Sequence, residues 1–149
     1  MREILFRGKR IDNGEWVYGF LYETEKSSSY NAESYILEKE RLTINYKCLE
    51  GITTHILFVQ VTPNTVGQYT GLTDKNGKKI FEGDIVSGFF NHEKIVGYIF
   101  YGLDASFFIQ RDGLFGIGLN NASDWLEVIG NIHDNPELLD NSELFEDKP

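Results

Sequence analysis

Short runs of aromatic and β-branched residues, separated by turn-forming residues, follow one another along most of this chain and limit its possible folds. Residues 3–11 and 15–22 flank Asp12-Asn13-Gly14. Asn-Gly between apolar runs predicts a β-hairpin with a type I′ turn, which needs positive φ at both central residues. The 11 Phe and 8 Tyr residues agree with this pattern, because aromatic side chains pack well on a pleated sheet. We therefore predict a mostly β protein.

The rest of the first 62 residues also favours strands. We expect short strands at 34–38 and 41–49 and a longer one at 51–61, which ends at Thr62-Pro63 because proline cannot donate to the sheet. The polar, Ser-rich segment 23–34 predicts a long loop. Residues 1–62 thus form an N-terminal hairpin or sheet region.

Residues 63–133 have a different pattern of short strands and tight turns. Strands are predicted at about 84–90, 94–101, 106–110, 114–119 and 125–132. Gly77 and Gly83 are predicted to occupy positive-φ turn positions. The opening Glu-Gly-Asp-Ile-Val is similar to the first strand of SH3-like barrels, so we predict a small barrel-like region.

The last segment, 134–149, is acidic, and Asn135-Pro136-Glu137 predicts the start of a short helix. The three segments (1–62, 63–133 and 134–149) could equally form one compact domain.

The charge and the single cysteine restrict the partners and the compartment. A net charge of −9 with no basic excess argues against direct nucleic-acid binding. Cys48 alone allows no internal disulfide, which fits a reducing compartment. No secretory segment or membrane-spanning run is found, so a soluble, cytoplasmic protein without membrane contact is expected.

An aromatic row and a basic cluster lie together near the N-terminus. Trp16, Tyr18, Phe20 and Tyr22 share one strand face, which we interpret as core, with a stacking or partner surface as the alternative. A candidate interaction surface is drawn from both groups: Arg7, Lys9, Arg10, Trp16 and Tyr18. The cations could meet single-stranded nucleic acid, discourage edge pairing, or pair with the acidic tail.

The ligand-type side chains do not form a recognisable metal motif. His55, His92 and His133 lack a short ligand spacing, and Cys48 has no partner cysteine, so no metal or other cofactor is predicted. His92 is expected to face solvent in a turn, and His55 to pack on a strand.

Three acidic residues and one glycine-rich stretch have two interpretations each. Asp74, Glu82 and Asp84 could hold a cation or divide acid and base roles, but aspartates in turns also bond their own backbone, which we favour. Residues 113–118 lack the order of a phosphate-binding loop, so their glycines are interpreted as turn and bend positions.

Three blocks, at 2–19, 66–86 and 125–138, resemble the YopX family of phage and prophage proteins. The central block, Gln-Tyr-Thr-Gly-Leu-x-Asp-x-Asn-Gly-x-x-Ile-x-Glu-Gly-Asp, is the most specific. The resemblance implies a largely β-stranded, cytoplasmic protein of uncharacterised activity, and it implies no catalytic residues.

The sequence contains no convergent set of nucleophile, base or metal ligands. We therefore predict a non-enzymatic protein that binds or assembles, as a homo-oligomer or with an unknown phage or host protein, and the resemblance to the YopX family implies that it is a phage or prophage accessory protein. One alternative is an acidic inhibitor that mimics nucleic acid, and another is a small metal-dependent hydrolase.

Overall fold

The computed structural model describes residues 2–29, 31–38 and 58–140. The chain divides into two compact units, one from Glu3 to Gln68 and one from Tyr69 onward. Both are built from antiparallel strands, so the predicted mostly β fold is confirmed. The predicted strand 41–49, the first part of the strand 51–61, and the end of the acidic tail from residue 141 lie outside the described residues.

The first unit is a sheet in the order β4-β3-β2-β1, with the beginning of β5 beside β1. Its strands are β1 (Phe6–Lys9), β2 (Trp16–Glu23), β3 (Ser34–Glu38), β4 (Phe58–Val61) and the start of β5 (Gly67–Thr73). A 3-10 turn at Pro63–Thr65 follows β4, so the proline ends that strand as expected. The described residues between β2 and β3 form no regular element, which confirms the loop.

The predicted first hairpin is confirmed, but its turn type is not. Gly14 has a φ of 71°, whereas Asn13 does not adopt a positive φ. The N–H of Arg10 donates to the carbonyl of Glu15 at 2.9 Å, which closes a four-residue loop, and the N–H of Gly14 donates to the carbonyl of Arg10 at 2.9 Å within it. The expectation of a two-residue type I′ turn was therefore wrong, because Ile11 and Asp12 belong to the loop as well.

The core of the first unit lies on the opposite face from the aromatic row. Val17, Ile36 and Val61 are buried together. Gly8 belongs to this face, and a Cβ there would lie 2.9 Å from the Val61 side chain, so only glycine leaves the room that Val61 needs. Neighbouring residues of a strand face opposite sides of the sheet, so Tyr18 faces outward because Val17 faces the core. The interpretation of the row as core was wrong.

The second unit contains an open five-stranded sheet in the order β10-β9-β8-β7-β11. Its strands are β7 (Asp84–Phe90), β8 (Glu93–Tyr101), β9 (Phe107–Gln110), β10 (Ile117–Gly118) and β11 (Glu127–Asn131). The rest of β5 pairs with β6 (Lys79–Phe81) through Tyr69 and Thr73.

The barrel-like expectation does not hold as a closed barrel. Closure would require β11 to pair with β10 as well as with β7, but within the described residues these two end strands are not neighbours. The strand expected at 114–119 shrinks to the two residues of β10, since Gly116 lies directly under the ring of Phe108. The sheet therefore has two edges.

Tight turns join the strands of the second unit. Gly77 and Gly83 have φ values of 79° and 86°, which confirms both predicted positions. Asn91 and His92 both have positive φ, 50° and 68°, and form the two-residue connection between β7 and β8. The type I′ geometry expected in the first hairpin thus occurs here.

Two short helices lie in the described part of the second unit, up to residue 140. Helix α1 (Ala122–Trp125) was not predicted, and α2 (Glu137–Asp140) begins where the sequence indicated. The buried core of this unit comprises Ile80, Val86, Ile95, Ile99, Ile109, Ile117, Leu119, Ala122 and Leu126. At about 1.5–3 kcal/mol for each large apolar side chain, this burial is the main source of stability in the second unit.

Candidate functional site

The pairing of β1 with β2 brings four of the five predicted interaction residues to one face of the first unit. Arg7 is paired with Tyr18, and Lys9 is paired with Trp16. Directly paired residues share a face, and residues two apart along a strand do so too. Two cations and two aromatic rings therefore lie side by side on the face opposite the core.

The cations of this face contact the Trp16 ring. The guanidinium carbon of Arg7 lies 4.5 Å from the ring centroid, and the Nζ of Lys9 lies 5.6 Å from it. Both distances suit cation–π attraction, which contributes about 0.5–2 kcal/mol depending on solvent exposure. Arg7 is buried, so its charge is covered by its neighbours rather than presented to solvent.

More aromatic side chains extend this face across β2, β3 and β4. Tyr22 is paired with Tyr35, and its ring centroid lies 6.5 Å from that of Tyr35 and 5.6 Å from that of Phe58. We call Trp16, Tyr18, Phe20, Tyr22, Tyr35 and Phe58 the aromatic surface. The exposed fractions of Tyr18, Phe20, Tyr22 and Phe58 are 44%, 48%, 54% and 46%.

Tyr35 and Phe58 were missed by the sequence analysis. Each lies in a segment predicted to be a strand, at the parity that carries it to the outer face. Sequence alternation gives that parity but not which strand lies beside which. Their proximity to Tyr22 therefore needed the sheet register.

Arg10, the fifth predicted residue, does not join the aromatic surface. Its Nε and Nη2 donate to the two carboxylate oxygens of Asp12 at 2.8 and 2.7 Å. This hydrogen bonding raises the pKa of Arg10 and lowers the pKa of Asp12. The charge of Arg10 is thus compensated inside its own hairpin loop.

The histidines are not brought together in the described part of the chain. His92 is exposed in its turn, as predicted, and the backbone N–H of His133 donates to Asn131 Oδ1 at 3.0 Å. His55 lies outside the described residues. Among residues 2–29, 31–38 and 58–140, no group of three or more His, Cys, Asp or Glu side chains could hold a metal ion.

The acidic residues support the turn interpretation. Asp74 Oδ1 accepts the N–H groups of Asn76 and Lys78, both at 2.9 Å, and Oδ2 accepts that of Val128 at 3.0 Å. Burial alone would raise the pKa of Asp74, but these three donors hold it below its ordinary value. Asp84 Oδ2 accepts the Phe81 N–H at 2.8 Å.

Glu82 differs from Asp74, because burial raises the pKa of Glu82. In the glycine-rich stretch, Gly113 has a φ of 65° and occupies a turn, as predicted.

A comparison with protein families matches the family described as YopX protein over residues 5–140. The match covers nearly the whole chain. The chain belongs to the YopX family. The family assignment drawn from the three sequence blocks is confirmed.

A solved structure agrees with the YopX family fold of this chain. The chain is similar to the crystal structure of protein EF1440 from Enterococcus faecalis, with 27% sequence identity and a TM-score of 0.57. The similarity covers 93% of this chain and 99% of that one. No match is found among curated proteins. Within the described residues, none of the helices has the length and apolar character needed to cross a bilayer.

Proposed function

We propose that this YopX family member is a non-enzymatic binding protein that associates with a second copy of itself through the aromatic surface. We further propose that it is an accessory protein of a phage or prophage and acts in the cytoplasm of the bacterial host. The observation that carries the binding proposal is the exposure of four aromatic side chains on one sheet face. A contiguous exposed aromatic face is a common feature of protein interaction sites.

The size of the surface indicates a weak association. A fully buried aromatic side chain removes roughly 150–250 Å² from water, and these four are about half exposed. Covering Tyr18, Phe20, Tyr22 and Phe58 would therefore remove roughly 400 Å² from each chain. Two chains together would bury roughly 800 Å² from these rings, below the roughly 1,200–2,000 Å² of a stable interface. We expect a dimer that depends on protein concentration.

Charge favours a protein partner over nucleic acid. The chain has a net charge of −9, and Arg10 is already paired with Asp12. Arg7 and Lys9 lie against the Trp16 ring. Strong binding of a polyanion needs a row of cations that face the backbone phosphates. A second copy of the chain needs no such row, since rings can pack on rings.

The two other candidate functions have no specific observation in their favour. A hydrolase would need carboxylates available for a cation or a proton, but Asp74 and Asp84 accept backbone N–H groups. A nucleic-acid mimic would need carboxylates spread over a face, whereas residues 134–149, with six acidic residues and one lysine, carry −5 of the net charge of −9.

Sedimentation or light scattering at several protein concentrations tests the proposal. We expect the average mass to exceed 17.1 kDa at concentrations on the order of tens of micromolar. Phe20→Glu should shift the equilibrium to monomer, because it places a charge in the centre of the aromatic surface.

Phe89→Glu is the matched control, since Phe89 is 69% exposed in the second unit. A wild-type monomer at these concentrations would refute self-association. Equal dimerisation of wild type and Phe20→Glu would show that another surface is used.

A further inference from the structure

An open cleft in the second unit combines an arginine with three aromatic rings. Its volume is about 400 Å³, and it is lined by Phe90, Arg111, Phe115, Asn120 and Trp125, together with residues 116–118. This volume falls within the roughly 300–1,000 Å³ of small-molecule sites. The residues that line this cleft belong neither to the aromatic surface nor to the predicted interaction residues.

Arg111 is an uncompensated cation in this cleft. Within the described residues, no carboxylate lies at ion-pairing distance from it, although the chain has a net charge of −9. Its Nη2 makes one long contact, at 3.5 Å, with the carbonyl oxygen of Phe115, and its buried Nε has no acceptor. A partly buried guanidinium without an anionic partner is costly, so an anion that meets its Nη groups from the cleft would be stabilised.

The Arg111 side chain lies close to the backbone of β8 at Gly97. A Cβ at Gly97 would lie 3.1 Å from the Cγ of Arg111 and 2.6 Å from the carbonyl oxygen of Gln110. The Arg111 side chain can therefore cross β8 at position 97 because glycine has no Cβ there. The side-chain Nε2 of Gln110 donates to the main-chain carbonyl of Arg111 at 3.0 Å and fixes the end of β9.

Aromatic side chains line one side of the cleft, and the ring of Trp125 is held in a fixed orientation. The ring centroids of Phe90 and Trp125 lie 5.8 Å apart with an interplanar angle of 38°. The indole N–H of Trp125 donates to the carbonyl of Asn120 at 3.0 Å, which sets the orientation of its ring. Phe115 is 95% exposed at the rim. A planar group entering the cleft would find a ring face on which to stack.

We propose that this cleft binds a nucleoside monophosphate, with the phosphate on the Arg111 guanidinium and the base against Phe90, Trp125 and Phe115. The planar fork of arginine suits a phosphate group, and stacking on aromatic rings accepts any base. One cation matches one phosphate, whereas the net charge of −9 opposes a longer polynucleotide. The volume of the cleft suits one nucleotide rather than several.

Titration of the full chain with AMP and UMP, followed by calorimetry and by amide chemical shifts, tests this proposal. We expect saturable binding with shifts at Gly116 and Gly118, which line the cleft. Adenosine and inorganic phosphate should each bind at least about tenfold more weakly, since each uses half of the site. Equal binding of AMP and inorganic phosphate would overturn the role of the rings.

Two variants and a control separate binding from folding. Arg111→Gln should weaken AMP binding about tenfold or more, through loss of the charge-assisted contact. Phe115→Ser should also weaken it, and since its ring is 95% exposed the fold should not change. Lys94→Gln, a change of an exposed cation on β8, should leave the affinity unchanged. The absence of saturable binding at millimolar AMP, or an unchanged affinity in Arg111→Gln, would refute the proposal.

Discussion

Replacing Asp74 by asparagine should destabilise the second unit more than the small difference in volume between the two side chains suggests. Asp74 is 2% exposed, and its two oxygens accept the N–H groups of Asn76, Lys78 and Val128. An amide of the same shape presents one oxygen and one NH₂ group. Whichever way it turns, at least one backbone N–H then faces a donor instead of an acceptor.

The magnitude follows from that lost contact. A hydrogen bond to a charged group contributes about 1.5–3 kcal/mol, and the buried N–H left without an acceptor adds to the loss. We expect Asp74→Asn to lower the free energy of unfolding by about 2–3 kcal/mol at pH 7. Asp112→Asn is the matched control, because Asp112 is exposed in its turn and should change the free energy by less than about 0.5 kcal/mol.

The loss should also depend on pH, because the folded protein lowers the pKa of Asp74. The unfolded chain then binds more protons than the folded one, so the contribution of the carboxylate is complete above about pH 5. It is lost as the pH falls through the lowered pKa. Urea denaturation of both chains at neutral and acidic pH measures this. Equal midpoints at pH 7, or a difference that widens on acidification, would refute the reasoning.

Four other substitutions test the turns and Glu82, each by urea denaturation. Gly77→Val and Gly83→Val should each cost about 1–2 kcal/mol, because both glycines have positive φ, and unchanged midpoints would contradict the turn geometry. His92→Gly should stabilise the protein by about 0.5–1 kcal/mol, since His92 has a φ of 68°, and a loss of stability would show that its side chain is needed. Burial raises the pKa of Glu82, so the ionised form of this side chain opposes folding. The Glu82→Gln variant should therefore be more stable than wild type at pH 7, and this gain should disappear as the pH falls to about 4. A gain in stability that persists at about pH 4 would have another cause.

Much of the strand pattern could be predicted because it depends on neighbours along the chain. The strands at 34–38 and 84–90 have the predicted bounds, and α2 begins where Pro136 allows a first turn. Helix α1 was missed because four residues give too short a pattern to recognise. The open form of the second sheet was missed because it depends on whether the end strands β10 and β11 pair, which alternation along the chain does not determine.

Only part of the candidate surface could be predicted from the sequence. Alternation correctly placed Arg7, Lys9, Trp16 and Tyr18 on common strand faces. The same rule could not assign Tyr35, because its approach to Tyr22 depends on the register between β2 and β3. The Arg111 cleft had no sequence signal, since its residues come from four separate segments.

The sequence by itself determined the β class, the turns and the two-residue periodicity, because φ preferences and side-chain alternation are local properties of the chain. Only the tertiary structure decided which face of each strand is buried. In β2 the aromatic residues are larger than Val17 and Gly19, yet the core takes the smaller ones. Gly8 and Gly19 have no room for a Cβ, because Val61 and the Leu37 carbonyl come too close. That close packing buries the face with small residues and leaves the aromatic surface to solvent.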